Sequence, residues 1–353
     1  MLLQGKRAVQ CGLAAAFTLL LVTGCSSSPL DASPPTIEPA HAAESPPVSQ
    51  NPAGTVLPLG GHPQAATFDS STRRLAVLCP GTDPAAPASI SVLGEAQSAP
   101  HESPRDPLRV IGLPGPAAAL TSDGRGTAYA AARGGFFVVD LAAARATRVN
   151  VADAANIEFT AIARRADGKL MLGSADGAVY TVGADDGSVT SRNKIFARVD
   201  ALVTQENTTV VLDRGQTSVT TIGADGRAQQ ALRAGEGATT LAADPLGRVL
   251  VADTRGGQLL VYGVDPLILR QAYPVRQAPY GLAGSRPLAW VSQTASNTVI
   301  GYDLTTGIPV EKVRYPTVQQ PNSLVFDEAS DTLYVISGSG AGVQVIEHAG
   351  ASL

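Results

Sequence analysis

The stretch Ala278–Pro316 reads APYGLAGSRPLAWVSQTASNTVIGYDLTTGIPVEKVRYP, and it decides the fold. It holds four short runs rich in Val, Ile, Thr and Tyr, which are separated by turns of Gly, Asp, Asn and Ser. Such runs between turn formers are typical of β-strands. Related stretches begin at Gly235 and Gln320. The pattern therefore predicts a unit of four antiparallel strands that recurs about every 40 residues.

The unit occurs seven times, and the copies can be aligned on one apolar residue of their first strand. The aligned residues are Ala66, Leu120, Ile162, Leu202, Leu241, Leu282 and Leu324. A single unit cannot bury both of its faces, so the copies must pack against one another in a ring. We predict an all-β fold, a seven-bladed β-propeller of four-stranded antiparallel blades over residues 54–348.

The two ends of the repeat array predict how the ring closes. The last copy stops after its third strand, at Ile346, and a lone strand-like run, Gly54–Leu59, precedes the first copy. If Gly54–Leu59 supplies the missing fourth strand, both loose ends are paired and no sheet edge stays open. The insertion Glu95–Pro107 is predicted to extend the loop between the third and fourth strands of the first blade.

The N-terminus has the layout of a bacterial export signal. Lys6 and Arg7 precede the apolar run Gly12–Val22, which is too short to span a bilayer as a finished helix. The sequence that ends in Cys25 resembles a bacterial lipobox, and this resemblance implies removal of residues 1–24 and lipidation of Cys25. The open alternative is an ordinary secreted protein in which Cys25 is incidental.

Residues 26–53 consist mainly of Ser, Pro and Ala, with few large apolar residues. Such a segment buries too little surface to offset its chain entropy. We therefore predict that residues 25–53 form a disordered tether between a lipid anchor on Cys25 and the propeller. The predicted location is the cell membrane, lipid-anchored on its extracytoplasmic side.

Composition limits the partners. The formal charge of −4 becomes −6 when the signal takes Lys6 and Arg7 away, which argues against nucleic acid. Only Cys79 remains in the propeller, so no internal disulfide is expected, and Cys79 is predicted to be a small buried apolar side chain. The chain is expected to be a monomer.

Motifs of catalysis are not found in the sequence. The four histidines have no metal-ligand spacing, and neither a G-x-S-x-G elbow nor a P-loop is present. We predict no catalytic residue, no metal and no cofactor.

Trp290 lies in a second strand and is expected to pack between blades.

The candidate ligand face follows from topology. In a propeller, the segments that lead into the first strands and the turns between second and third strands meet at one face. The candidate residues there are His62, Arg133, Glu158, Asp200, Asp213, Arg214, Asp253, Arg255, Tyr280, Gln293 and Asn322. They predict a polar rim of mixed charge that binds a peptide, glycan or small solute. The alternative for each is a structural role in its turn.

Two runs carry a resemblance to a known family. Leu288–Val299 (LAWVSQTASNTV) and Thr332–Val345 (TLYVISGSGAGVQV) resemble the YVTN-type repeat of seven-bladed propellers. The layout of tether and propeller is similar to that of conserved mycobacterial lipoproteins. The resemblance implies anchoring in the cell envelope and carries over no catalytic residue.

The sequence is compatible with three functions. The first is a non-enzymatic binding or scaffolding module, anchored by Cys25, for an envelope protein or glycan. The second is a hydrolase or lactonase in the central channel, for which His62, Asp200, Asp213 and Asp253 are the available side chains. The third is a protein that binds a small solute.

Overall fold

The structure, a computed structural model, describes residues 34–94 and 109–350. The predicted signal peptide, Cys25, residues 26–33 of the predicted tether and the insertion Glu95–Pro107 lie outside these residues. Among the described residues, no helix is long and apolar enough to cross a membrane.

The described chain forms 28 strands in seven antiparallel sheets of four strands each. The strands of blades 1 to 4 are β2 Ala65–Asp69, β3 Arg74–Cys79, β4 Ser89–Leu93, β5 Arg109–Gly112, β6 Ala119–Ser122, β7 Thr127–Ala132, β8 Gly135–Asp140, β9 Arg145–Asn150, β10 Phe159–Arg164, β11 Leu170–Ser174, β12 Ala178–Val182, β13 Val189–Lys194, β14 Ala201–Gln205, β15 Thr208–Asp213, β16 Ser218–Ile222 and β17 Ala228–Arg233. Those of blades 5 to 7 are β18 Ala238–Ala243, β19 Arg248–Asp253, β20 Gln258–Val264, β21 Leu267–Pro274, β22 Pro279–Gly284, β23 Ala289–Gln293, β24 Thr298–Asp303, β25 Val310–Pro316, β26 Pro321–Asp327, β27 Thr332–Ser337, β28 Val343–Ile346 and the N-terminal β1 Thr55–Leu57. A single 3₁₀ turn, Thr294–Ser296, joins β23 to β24.

The N-terminal strand closes the ring, as the repeat pattern predicts. β1 pairs antiparallel with β28, with Thr55 opposite Val345 and Leu57 opposite Val343. The seventh sheet therefore combines three C-terminal strands with one N-terminal strand. The prediction of a seven-bladed β-propeller is confirmed.

The apolar core of the described chain lies between the blades. It divides into seven clusters of buried residues, and each cluster draws on two neighbouring sheets. One cluster joins blades 7 and 1, where Tyr334 and Ile336 pack with Leu75 and Val77. Every blade is thus stabilised from both sides by apolar burial, which explains why the ring needs all its copies.

Hydroxyl groups add polar links between neighbouring blades. Thr204 Oγ1 donates to the carbonyl of Arg164 at 2.8 Å, and Ser292 Oγ donates to the carbonyl of Pro321 at 2.6 Å. The carbonyl of Tyr280 accepts from Thr240 Oγ1 in the same way. These bonds satisfy main-chain groups on the inner strands, which face the central channel.

Two single-residue predictions concern packing. Trp290 is fully buried and stacks on Phe326 of the next blade, with 5.8 Å between ring centroids. Cys79 is buried, and its Sγ lies 3.7 Å from the carbonyl oxygen of Gly60. Burial raises the pKa of the Cys79 thiol, which a hydrogen bond with Ser91 offsets only in part. Both side chains lie where the sequence predicts them.

Candidate functional site

The first strands of all seven blades surround a central funnel. It opens at the face formed by the segments that lead into these strands and by the turns between second and third strands, here called the funnel face. The funnel has a volume of about 690 Å³. Its wall includes Gln64, Thr160 and Thr239 together with the apolar starts of the inner strands. A cavity of this size and polarity accommodates a small ligand or the end of a peptide.

Six predicted ligand-face residues line the funnel. They are His62, Glu158, Asp200, Arg214, Tyr280 and Asn322. They come from five blades, because the same topological position on each blade points towards the axis.

Asp200 is the most firmly held of these side chains. One carboxylate oxygen accepts from Arg198 Nε at 3.1 Å, and the other accepts from the backbone N–H of Arg214 at 3.1 Å. Arg198 is 47% exposed, so this ion pair contributes only about 0–1 kcal/mol to stability. Its main effect is to place a carboxylate and a guanidinium side by side at the funnel wall.

Three other funnel side chains are free to meet a ligand. Within the described residues, the side chains of His62, Glu158 and Tyr280 form no hydrogen bond or ion pair with the protein. His62 and Glu158 are exposed, and Tyr280 is half-buried. The funnel thus presents an imidazole, a carboxylate and a phenol whose bonding capacity is unused.

The predicted residues Asp213 and Asp253 lie outside the funnel. Both are fully buried at the ends of their second strands. Asp213 accepts from the backbone N–H groups of Ala197 at 2.6 Å and Gln216 at 3.0 Å. Burial raises the pKa of Asp213 above its usual 3.8, and these backbone hydrogen bonds offset the rise only in part.

Asp253 repeats this arrangement one blade further on. Its carboxylate accepts from the backbone N–H groups of Glu236, Gly237 and Gly256 at 2.8–3.0 Å. Each aspartate therefore connects its own turn to the segment that leads into the same blade. Their role is to fix turns. Of the four side chains available to the hydrolase hypothesis, His62 and Asp200 line the funnel and Asp213 and Asp253 do not.

The remaining candidates have local partners. Gln293 is buried, donates to the carbonyl of Arg276 at 2.6 Å and accepts from Arg314 at 3.1 Å. Arg133 is exposed in the turn of blade 2, away from the funnel wall. Arg255 is exposed as well and contacts the N-terminal segment.

Residues 34–53, here called the strap, form the described part of the predicted tether. The strap follows an extended course along the rim of the funnel face. Arg255 Nη2 donates to the carbonyl of Glu38 at 2.6 Å, and Arg214 Nη2 donates to that of Ala40. Side chains from blades 4 and 5 thus satisfy main-chain groups of the strap, and the prediction of a tether did not include these contacts.

The second half of the strap is bound at blades 6 and 7. Ser45 is buried, and its hydroxyl donates to the carbonyl of Thr294 at 2.6 Å. The Ser45 backbone N–H donates to Gln320 Oε1 at 3.0 Å. Asn297 Nδ2 donates to the carbonyl of Pro46 at 2.7 Å. The strap thus runs along the rim of the funnel, and Arg214 belongs to both.

The sequence pattern did not single out Arg198 or the contacts between the strap and the propeller. Arg198 stands two residues before Asp200 in a segment that leads into a first strand, so its position was a usable signal. The strap offers no comparable signal, because its partners lie more than 170 residues away along the chain.

Within residues 34–94 and 109–350, no group of three or more His, Cys, Asp and Glu side chains could hold a metal ion.

Comparison with known proteins shows the fold. A chain of the mitotic checkpoint complex superposes with a TM-score of 0.69 at 10% sequence identity, covering 87% of this chain and 96% of that one. The streptogramin B lyase structure superposes with a TM-score of 0.64 at 11% identity, covering 84% and 96%. The chain is a seven-bladed β-propeller. No protein-family model matches it, and no curated protein matches it either. One neighbour belongs to a protein assembly and the other to an enzyme, so the propeller itself does not choose between binding and catalysis.

Proposed function

We propose that this propeller is a cell-envelope lipoprotein, anchored through Cys25, that binds an envelope partner at its funnel without transforming it. One observation carries the proposal: the same funnel wall presents the Arg198–Asp200 pair and the side chains of His62, Glu158 and Tyr280, whose bonding capacity is unused. The lipobox resemblance and the YVTN-like repeats support the envelope location. Binding is favoured over hydrolysis because Asp213 and Asp253 are committed to their turns.

A protein segment fits the funnel better than a glycan does. Glu158 and Arg198 offer opposite charges at the wall, and complementary charges on a polypeptide can pair with both. Such pairs select the partner and its orientation more than they add affinity. A neutral glycan carries no charge that could pair with either side chain.

Capture from solubilised envelope membranes tests the proposal. The bait is the full chain, and the test variant is Glu158→Ala/Arg198→Ala. We expect the variant to recover at least about tenfold less of the specific partner, which corresponds to about 1.4 kcal/mol of binding free energy. The matched control is Glu328→Ala/Arg286→Ala, which removes an exposed pair, 4.0 Å apart, on the opposite face.

The outcomes separate clearly. The control should recover the partner within about twofold of the native chain, because its charges lie away from the funnel. Equal recovery by the test variant would contradict a funnel site, and a glycan in the captured material would replace the protein partner. Cys25→Ala should move the chain out of the membrane fraction, and an unchanged distribution would contradict lipid anchoring.

A further inference from the structure

The propeller holds the strap mainly through the strap's main chain. Side-chain donors of the propeller reach five strap carbonyls, those of Glu38, Ala40, Ala43, Ser45 and Pro46. The donors are, in the same order, Arg255, Arg214, Gln320, Gln319 and Asn297. Because every residue has a carbonyl, contacts of this kind recognise an extended chain with little regard to its sequence.

Three of these donors occupy one repeated position. Arg214, Arg255 and Asn297 all lie in the turn between the second and third strands, on blades 4, 5 and 6. A main-chain bond adds to them, because the N–H of Ile37 donates to the carbonyl of Gly215 at 2.7 Å. The donors of successive blades therefore form a polar track along the rim, here called the rim groove.

The rim groove buries only small strap side chains. Ala40 and Ser45 are 6% and 5% exposed, whereas Glu38, His41 and Glu44 project into solvent. The fit at Ala40 is close, because a Cβ atom on Gly237 would lie 2.9 Å from the Cβ of Ala40. The groove thus requires small residues at two positions five apart and tolerates polar ones between them.

Gln320 shows that the groove has a built geometry. Its φ of 58° lies in the left-handed region, which costs a non-glycine residue of order 1 kcal/mol or more. In this conformation its backbone N–H donates to Ser45 Oγ at 3.1 Å, and its side chain contacts Ala43 and Ser45 as well. A strained residue with three hydrogen bonds to the strap is typical of a binding site.

We propose that the rim groove is a binding site for extended peptides rich in proline and alanine, and that the strap is its occupant in cis. Prolines at positions 34, 35, 39, 46 and 47 keep the strap extended before it binds, which lowers the entropy cost of binding. A segment of similar composition on another protein can replace it. The site shares Arg214 with the funnel, but the proposal does not require the funnel to bind a partner.

Exchange of the occupant would alter the funnel wall. Arg214 lines the funnel and also donates to the carbonyl of Ala40. Within the described residues, its buried Nε has no hydrogen-bond partner. A peptide that displaces the strap and leaves this carbonyl position empty frees the guanidinium to turn towards the funnel.

Peptide binding in trans tests the groove. The probe is a dye-labelled peptide of residues 34–50, and the protein is the full chain carrying Cys25→Ala. An attached strap competes at an effective concentration of order millimolar, so the native groove should bind the probe weakly. The variant Ala40→Leu/Ser45→Leu places bulky side chains at the two buried positions and should unseat the strap. We expect it to bind the probe at least about tenfold more tightly than the chain with the native strap.

Two controls define specificity. A probe carrying Ala40→Leu and Ser45→Leu should bind the unseated chain at least about tenfold more weakly, since the groove admits only small side chains. Adding Arg255→Ala and Asn297→Ala to the unseated chain should weaken binding of the native probe by a similar factor. Equal binding of both probes, or no gain on unseating the strap, would overturn the proposal. A second chain, Ala40→Lys/Ser45→Lys, unseats the strap through buried, unpaired charge instead of apolar bulk and must give the same result.

Discussion

Replacing Trp290 with alanine is expected to lower the free energy of unfolding by about 3–5 kcal/mol. The indole is fully buried between blades 6 and 7, where it stacks on Phe326 and on Tyr315. Its Nε1–H donates to Ser285 Oγ at 3.1 Å. Alanine leaves a cavity at an interface that cannot collapse without moving a whole blade.

Guanidinium denaturation and thermal melting measure this effect. A loss of this size should lower Tm by about 5–8 °C for a propeller of this length. The control is Ile308→Ala, which truncates a side chain that is 68% exposed and should change stability by less than about 0.5 kcal/mol. A loss below about 1 kcal/mol for Trp290→Ala would mean that the blade interface is not packed as described.

Replacing Gln344 with leucine should weaken ring closure by about 2–4 kcal/mol. The side chain is fully buried in β28. Its Nε2 donates to the carbonyls of Ala53 at 2.8 Å and Pro316 at 3.0 Å, and its Oε1 accepts from the N–H of Val318 at 3.0 Å. Leucine has a similar size but leaves three buried main-chain groups without this partner.

Hydrogen exchange distinguishes a closure defect from general destabilisation. The amides of β1 should lose protection more than those of β20, which lies in the middle of blade 5. The matched control is Gln229→Leu, at an exposed position on β17. Uniform loss of protection in all blades, or no loss in β1, would contradict the role of Gln344 in closing the ring.

The sequence is sufficient for the propeller because its signals are local and repeated. Alternating strands, Gly and Asp turns and the missing last strand determine the blade count, and the pairing of β1 with β28 confirms it. The location of Trp290 between blades also follows from its place in a second strand. These predictions need only the periodicity of one unit and the requirement to bury its faces.

Two other features depend on contacts that no local pattern encodes. The turns at Asp213 and Asp253 place an acid and a base at equivalent positions, but whether each carboxylate faces solvent or backbone N–H groups is decided by the fold. The composition of the strap indicates disorder, because few of its side chains can be buried. In the structure its main chain accepts hydrogen bonds from Arg214 and Arg255, and composition does not report on main-chain bonding.

Site-specific photocrosslinking in envelope membranes tests the central claim, that the funnel face binds a partner. A photoreactive phenylalanine derivative at Tyr280 lies in the funnel wall, and the same residue at Leu246 lies on the opposite face, where the leucine is 51% exposed. We expect a discrete adduct from position 280 that is lost in the Glu158→Ala/Arg198→Ala background. Position 246 should give no adduct of the same mass. The same adduct from both positions, or from position 246 alone, would contradict it.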